Sequence, residues 1–459
     1  MSSTPVGRPS YAAVLRIPHA RRTFAAALLG RLSYGIVPLS MMLAVTRASG
    51  SYAVAGTVMA LFGATSVFLS PARAALIDRH GPRRTLVPMV TAYAALLGLL
   101  TLLVRRPGAV SPPVLGAVTA AAGACTPPVG PTMRAVWARL APDRALLQRA
   151  YSLDGVAEEL LFVSGPLLVG ILVGFAPPTA GIVFGTALIV AGTAGFTTSP
   201  AVGAAGPPRA ASGPSAPRRV RLRRGAGRRG VLRGILRPVV AACGVGLTLG
   251  VVDLVVVAFA EQRHYGDGAV AWTLAALSAG SAVGGLANGA VQWRVPAPAR
   301  LSLTAAGLGA ALLGAGFAPG LGTLAVALAA AGFFVSPTLT TAYLIADDMA
   351  APEARVRAGA WVNTGVNAGS TAGAAVAGLL VGGMPTALCF TAAGAAALLT
   401  ALATVRRGRG RSTPPPGRAR RSGRIAGAVG ASARQSSRER ERTVPAVADA
   451  GEGPAQGRP

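Results

Sequence analysis

The chain of 459 residues is 52% hydrophobic and only 13% charged, with a mean hydropathy of +0.53. Soluble domains carry about 25% charged residues, so most of this chain must face lipid or other helices rather than water. The net charge is +29, yet all 44 basic residues are arginine, and they cluster beside and between the apolar segments. This distribution excludes a nucleic-acid-binding protein and is typical of the positive-inside bias of membrane proteins.

Twelve apolar segments follow one another along the chain, each about long enough to cross a hydrocarbon core of ~30 Å as a helix. We call them spans 1 to 12 in chain order. They are predicted near 23–46, 52–74, 85–104, 112–136, 150–174, 178–198, 237–260, 268–291, 300–317, 320–346, 357–381 and 384–405. The predicted fold class is therefore an all-α membrane protein with twelve transmembrane helices.

Changes in composition divide these spans into two groups. Residues 199–236 are rich in Pro, Gly, Ser and Arg and predict a basic linker between one six-helix bundle, 23–198, and a second, 237–405. The Arg-rich residues 406–459 lack any apolar period and predict a disordered tail. Because arginine concentrates in residues 1–22, the linker and the tail, both termini are predicted to be cytoplasmic in a multi-pass protein of the cell membrane. Anionic lipids are the expected partners of the basic linker and tail.

The two halves of the chain also repeat one another. At an offset of 208 residues, Gly165 of span 5 aligns with Gly373 of span 11. Residues 53–61 are similar to residues 269–277, which pairs span 2 with span 8. Parallel six-helix halves related by an axis along the membrane normal are an established transporter plan, with the substrate site between the halves near the midplane.

Two short motifs carry a resemblance to a known family. The turn between spans 2 and 3 reads AALIDRHGPRR at 74–84, and it is similar to the Gly-x-Leu-Ala-Asp-Arg-x-Gly-Arg-Arg motif of the major facilitator superfamily. In span 5, SGPLLVG at 164–170 resembles part of the Gly-Pro signature of members that export by antiport. The matching residues are Asp78, Arg79, Gly81, Arg83 and Arg84 in the turn, and Gly165, Pro166 and Gly170 in span 5.

The resemblance covers nearly everything from Thr23 to Val405 and is to bacterial, efflux-like members. It implies two pseudo-symmetric six-helix bundles that work by alternating access. It also implies that the turn is a cytoplasmic gating motif, in which Asp78 caps or salt-bridges neighbouring helices and stabilises one access state. The Gly-Pro motif is expected to be a helix kink, either of an exporter or simply of a tightly packed helix.

Charged residues inside the spans are costly to bury, by roughly 2.5–3.5 kcal/mol each on insertion scales, and are functional candidates for that reason. Arg31 in span 1 and Glu158 in span 5 lie at similar depth, so an ion pair is expected that either fixes the two spans or handles substrate and protons. Asp154 is expected to be solvated, and Glu159 points away from the face that Asp154 and Glu158 share. One arginine cannot satisfy three carboxylates, so at least one is expected to be protonated in some state.

Three further groups complete the candidate pathway for substrate or protons. Asp253 stands deep in span 7 with no basic residue in its own span, which favours a proton site. Asn363 and Asn367 form an i,i+4 pair in span 11, and Asn367 is the counterpart of Glu159 under the repeat. Tyr34 lies one turn beyond Arg31. These polar residues either bind substrate or join helices to one another.

No catalytic, metal-binding or cofactor motif occurs in the sequence, so neither an enzyme nor a bound cofactor is expected. The expected function is secondary active transport of a small organic molecule, coupled to protons, with efflux favoured over uptake. Two alternatives stay open. One is a uniporter or importer of the same fold, and the other is a transporter-like membrane sensor or scaffold, which need not keep unpaired charges in lipid.

Overall fold

A computed structural model describes residues 10–105, 111–203, 226–265, 267–381 and 383–406. Most of the predicted linker and nearly all of the predicted tail lie outside the described residues. The described part is helical throughout, with no β-strand. The first half contains α1 (Tyr11–Arg16), α2 (Ala20–Ser49), α3 (Tyr52–Phe68), α4 (Ser70–His80), α5 (Pro82–Leu103), α6 (Pro112–Cys125), α7 (Val129–Leu140), α8 (Arg144–Val173), α9 (Pro178–Thr197) and α10 (Pro200–Gly203).

Two predicted spans of the first half are each built from two helices. Span 2 consists of α3 and α4, which meet at Leu69 just before Ser70 and Pro71. Span 4 consists of α6 and α7, separated by Thr126, Pro127 and Pro128. Proline has no backbone N–H and its ring clashes with the preceding turn, which explains why the helix stops at this sequence.

The second half contains longer, unbroken helices. They are α11 (Ala226–Gln262), α12 (Asp267–Ala290), α13 (Ala297–Ala315), α14 (Leu321–Met349), α15 (Arg355–Val381), with a short 3₁₀ turn at Pro352–Ala354 before it, and α16 (Thr386–Arg406). Helix α11 begins well before the predicted start of span 7 and continues through Pro238. A proline inside a helix removes one backbone hydrogen bond, and packing against neighbouring helices stabilises the rest.

Ten helical segments among the described residues are long and apolar enough to cross a membrane, counting α3 and α4 as one. The other two spans are α13 and the broken pair α6–α7. The prediction of twelve transmembrane helices is therefore confirmed.

One end of the bundle joins the two halves. We call it the linker face, and define it as the end at which α9 ends at Thr197 and α11 begins at Ala226. The start of α2 lies at the same end, as its contact with the chain just after α9 shows: the Thr23 hydroxyl is 2.5 Å from the Ser199 hydroxyl. Across the halves, α4 and α7 pack on α15, while α8 packs on α12 and α14. Within the described residues, the hydrogen bonds between the halves lie between this face and the middle of the bundle, where Ser281 meets Glu159, so the halves are closed together at the linker face.

Candidate functional site

Four charged side chains form a buried cluster inside the first half. Arg31 of α2 contacts both carboxylates of α8, with 2.7 Å from Nη1 to Asp154 Oδ1 and 3.0 Å from Nη2 to Glu158 Oε2. Arg134 of α7 reaches the same pair, with 2.9 Å from Nε to Asp154 Oδ2 and a second contact from Nη2 to Glu158 Oε2. Two positive and two negative charges therefore close a ring that joins three helices.

The charge balance makes this burial tolerable. An isolated charge in a low-dielectric interior is strongly unfavourable, whereas a hydrogen-bonded pair offsets much of that cost. Asp154 and Glu158 are four residues apart on one face of α8, so both can meet the same two guanidinium groups. The Asp154 side chain is fully buried and that of Glu158 is 28% exposed. The expectation that Asp154 is solvated is wrong, because α2 and α7 cover it.

Arg134 was not among the predicted site residues. It lies close to the end of predicted span 4, where a positive-inside arginine is ordinary. Two signals pointed to it: the break at Pro127–Pro128, which begins a separate helix, and two carboxylates that one arginine cannot neutralise. Its guanidinium carbon also lies 3.9 Å from the centre of the Tyr343 ring on α14. This cation–π contact links the cluster to the second half of the molecule.

The ends of the broken helices are held by polar groups that reach across from neighbours. The Tyr34 hydroxyl of α2 donates to the Pro127 carbonyl oxygen and accepts from the Val129 amide at 3.4 Å. Arg73 of α4 donates to the carbonyl oxygens of Gly123 at 2.7 Å and Ala124 at 3.0 Å. These carbonyls lie in the last turn of α6, where helical hydrogen bonding runs out, and the Gly123 oxygen also accepts from the Thr126 amide at 3.3 Å. Tyr34 thus binds the residues of the break itself, and Arg73 donates hydrogen bonds to the carbonyls that end α6. Arg73 was not among the predicted site residues.

Two other carboxylates lie apart from the cluster. Glu159 accepts a hydrogen bond of 2.8 Å from the Ser281 hydroxyl of α12, across the halves. Asp253 of α11 has an exposed side chain and no ion pair or hydrogen bond with any residue that the structure describes. A Cβ at Gly244 would lie 2.6 Å from Thr400 Oγ1 of α16. Asp253 follows Gly244 by nine residues, which is two and a half turns. Its side chain therefore lies on the opposite side of α11 from Gly244 and faces away from α16.

The side-chain amides of Asn363 and Asn367 on α15, in the second half, are partly buried. The Asn367 side chain donates to the Asn363 carbonyl oxygen of its own helix at 2.8 Å. Thr364 between them donates across the halves to the Val67 carbonyl oxygen of α3 at 3.1 Å. The structure thus brings this part of α15 against the first half, without placing either asparagine in the arginine–carboxylate cluster.

The predicted gating turn lies on the linker face. Asp78 accepts two backbone hydrogen bonds at the start of α15, from the Val356 amide at 3.2 Å and the Arg357 amide at 2.9 Å. A carboxylate is favourable there because the first amides of a helix are unpaired and carry partial positive charge. Gly81 adopts a φ of 86°, a conformation that glycine reaches without strain. The other arginines of the motif, Arg79, Arg83 and Arg84, are exposed.

The Gly-Pro motif of span 5 lies at a helix contact. Helix α8 continues through Pro166 as a single helix. A Cβ on Gly165 would lie 2.6 Å from the Gly35 Cα of α2, so the two backbones touch, whereas the position of Gly170 is open. Gly165 therefore permits the close approach of α2 and α8 that brings Arg31 within reach of Asp154.

Sequence comparison decides the family. The model of the Major Facilitator Superfamily matches residues 23–293 and 239–445, which together cover most of the chain. The chain belongs to the major facilitator superfamily. Its membership, with the apolar helices described above, makes it a multi-pass membrane transporter. None of the curated protein sequences matches it.

Solved structures of the superfamily share the fold at low identity. The human organic anion transporter MFSD10 is 16% identical, with a TM-score of 0.63 over 86% of this chain and 100% of its own. A bacterial homologue of the iron transporter ferroportin, in an outward-facing state, is 13% identical, with a TM-score of 0.64 over 84% of this chain and 98% of its own. The E. coli fucose:proton symporter FucP is 15% identical, with a TM-score of 0.57 over 85% and 99%.

Proposed function

We propose that this protein is a secondary active carrier that moves a small organic molecule across the cell membrane by alternating access, coupled to protons and in the direction of efflux. The observation that carries the proposal is the contrast among its intramembrane carboxylates. Asp154 and Glu158 are neutralised by two arginines. Asp253 and Glu159 have no ion-pair partner among the described residues.

An unpaired carboxylate in a membrane protein suits proton coupling. It is ionised when water reaches it and neutral when the site closes, because a low-dielectric surrounding disfavours the charged form. The Asp253 side chain faces away from the outer helix α16, and Glu159 lies at the contact between α8 and α12. Both positions change their surroundings when the halves rock against each other around a central site.

The remaining candidates divide into two roles under this proposal. Arg31, Arg134, Asp154 and Glu158 hold α2, α7 and α8 as one body, and the partly exposed Glu158 borders the pathway. Asn363 and Asn367 supply hydrogen-bonding groups for substrate on the facing half. Tyr34 acts indirectly, by fixing the break between α6 and α7.

The proposed orientation places the linker face in the cytoplasm. The exposed arginines of the described turns lie largely at this face, Arg79, Arg83 and Arg84 among them, as the positive-inside bias requires. The closed linker face then corresponds to an outward-open state. Reporter fusions at Pro207 and after Arg407 are both expected to give a cytoplasmic signal, and signals from opposite sides would contradict the orientation. The efflux direction rests on the likeness of residues 164–170 to the signature of exporters.

The test of coupling uses purified protein in liposomes, with a panel of small organic compounds and an imposed pH gradient. The parent is expected to concentrate at least one compound only when the gradient is present. Asp253→Asn mimics the protonated form, so it is expected to exchange that compound without concentrating it. Glu159→Gln is tested beside it, and Glu353→Gln, in the exposed turn before α15, is the matched control.

Two outcomes would contradict the proposal. If both Asp253→Asn and Glu159→Gln concentrate the compound as well as the parent does, these residues do not couple protons, and a uniporter becomes the better interpretation. If the parent moves no compound with or without the gradient, a sensor or scaffold is favoured. Glu158→Gln is less informative for coupling, because it leaves two buried arginines facing one carboxylate.

A further inference from the structure

A second contact between the halves lies on the linker face, away from the gating turn. Gln148 near the start of α8 donates to the Asn288 carbonyl oxygen of α12 at 2.5 Å. Its own amide oxygen accepts a hydrogen bond of 2.8 Å from Arg300 Nη1 of α13. Arg300 Nε in turn donates to the Thr341 hydroxyl of α14 at 3.0 Å. One glutamine of the first half is thus bonded to three helices of the second half, directly or through Arg300.

These groups are almost fully removed from solvent. Gln148 is 9% exposed, Arg300 3% and Asn288 2%. The Asn288 amide also reaches the buried Ser152 hydroxyl of α8 at 3.3 Å. Buried polar groups are costly to leave unpaired, so these bonds cannot separate without exposing or reorganising every member. The contact is therefore either made or broken as a unit.

The chain's N-terminal helix lies over the same contact. Helix α1 packs against α8, and the Tyr11 hydroxyl donates to the Leu286 carbonyl oxygen of α12 at 2.6 Å. Burial raises the pKa of the Tyr11 phenol above its ordinary value. A segment that precedes the first span therefore connects the first half to the second.

The position of this contact matches that of the gating turn under the internal repeat. The repeat pairs span 5 with span 11 and span 2 with span 8. Asp78 ends span 2 and contacts the start of span 11, and Gln148 begins span 5 and contacts the end of span 8. The chemistry is inverted: Asp78 accepts from the amides that begin α15, whereas Gln148 donates to a carbonyl near the end of α12. Each group suits the partial charge of the helix end that it meets.

We propose that Gln148, Asn288 and Arg300, with Tyr11 across them, form a second latch that stabilises the state closed at the linker face, independently of the Asp78 latch. The proposal rests on the proposed alternating access, since a latch has a role only if the halves separate. It predicts that releasing either latch shifts the resting population toward the state open at the linker face. Because the two contacts share no residue, their effects multiply.

The test measures distances between spin labels in full-length protein without substrate, so it does not depend on transport. One label pair replaces Arg22 and Arg294, which are exposed on the linker face outside both latches, and the other replaces Tyr52 and Phe317, which are exposed at the opposite end. Cys125, Cys243 and Cys389 are first replaced by serine or alanine. Gln148→Met keeps the volume but removes the hydrogen bonds, and Tyr11→Phe removes only the hydroxyl. Gln262→Met, exposed at the end of α11, is the matched control.

The parent is expected to show mostly the short linker-face distance. Gln148→Met is expected to raise the ratio of the linker-open to the linker-closed population about tenfold, as the loss of hydrogen bonds to a charged group implies. Tyr11→Phe is expected to raise it about threefold, and Gln262→Met not at all. Asp78→Asn is expected to act like Gln148→Met, with normal membrane insertion and a large loss of transport, and the double variant by about a hundredfold.

Unchanged distances in Gln148→Met and in Tyr11→Phe, in folded and monodisperse protein, would overturn the second latch. If the variants shift the distances but the parent transports nothing, the latch stands and the proposed function fails. If transport is coupled to protons but the distances do not change in the variants, the proposed function stands and the second latch fails.

Discussion

The two halves of this transporter share a fold and both contain close glycine contacts, but among the described residues only the first adds a buried cluster of ion pairs. In the first half, two spans are broken, and charged or hydroxyl groups of neighbouring helices satisfy the breaks and neutralise each other. In the second half, α12 and α14, the counterparts of the broken spans, are continuous. Its α11 and α15 pack through glycines, with the Gly250 position lying against the Ser370 carbonyl oxygen.

This difference indicates what selects one helix–helix contact over another inside a bilayer. Lipid tails are as apolar as leucine side chains, so burial of apolar surface alone does not choose one helix contact over another. The first half fixes its contacts with directional ion pairs and hydrogen bonds. The second half fixes them chiefly with close backbone approach, with separate polar contacts such as Arg355 to Asp347 at 3.2 Å and Arg300 to Thr341 at 3.0 Å. Asp253 is then conspicuous, because the ion pair that joins helices within this half, Arg355 to Asp347 at 3.2 Å, lies near the linker face and not beside it.

The largest expected effect comes from breaking the charge cluster. Arg134→Met removes one of two arginines and leaves Asp154 and Glu158 facing Arg31 alone. Removing one partner from a buried pair costs about 3–5 kcal/mol, which corresponds to a fall of roughly 10 °C in the unfolding temperature measured in detergent. Arg139→Met, exposed on the same helix α7, is the matched control and is expected to unfold with the parent.

Restoring the charge balance sharpens this test. Arg134→Met with Asp154→Asn leaves one arginine and one carboxylate, and is expected to recover part of the lost stability. If the single and the double variants unfold at the same temperature, the cluster does not act as a balanced unit. If Arg134→Met itself unfolds with the parent, ion pairing does not stabilise the first half, and the contrast between the halves is wrong.

A smaller effect is expected from the corresponding change in the second half. Gly250→Ala places a methyl group against the backbone of α15, which cannot give way as a flexible side chain would. Overpacking of this kind costs about 1–3 kcal/mol. Gly314→Ala, on α13 of the same half and open at its Cβ position, is the control for helix propensity. Equal unfolding temperatures for the two variants would show that close packing of α11 on α15 is not what stabilises this half.

Much of the architecture could be predicted from the sequence, because length, hydropathy and arginine position are each set by the bilayer. The twelve spans follow from these alone. The breaks in spans 2 and 4 were missed because the apolar sequence continues across Leu69 and across Pro127–Pro128, whereas the helix does not. The prolines were visible, but proline inside a transmembrane helix is tolerated, as Pro38 and Pro238 show.

The candidate site was harder to predict than the fold. Arg31 and Glu158 could be paired by depth, since both helices start from the same face. Arg134 could not, because its depth depends on where α7 begins after the break. Glu159 and Ser281 meet across the two halves, and such contacts depend on how the halves rock together, which no single-chain periodicity records. The second latch at Gln148 was missed for the same reason.

The smallest expected effect comes from the hydroxyl that holds the break between α6 and α7. Tyr34→Phe keeps the ring but removes the hydrogen bond to the Pro127 carbonyl oxygen. A hydrogen bond of this kind contributes about 0.5–1.5 kcal/mol, so the unfolding temperature is expected to fall by only a few degrees. Tyr52→Phe, at a position that is 84% exposed, is the matched control. A larger loss of transport than of stability would indicate that the break must be held in place for turnover. If neither transport nor stability falls, Arg73 rather than Tyr34 holds the broken helices together. The difference between the halves would then rest on the charge cluster alone.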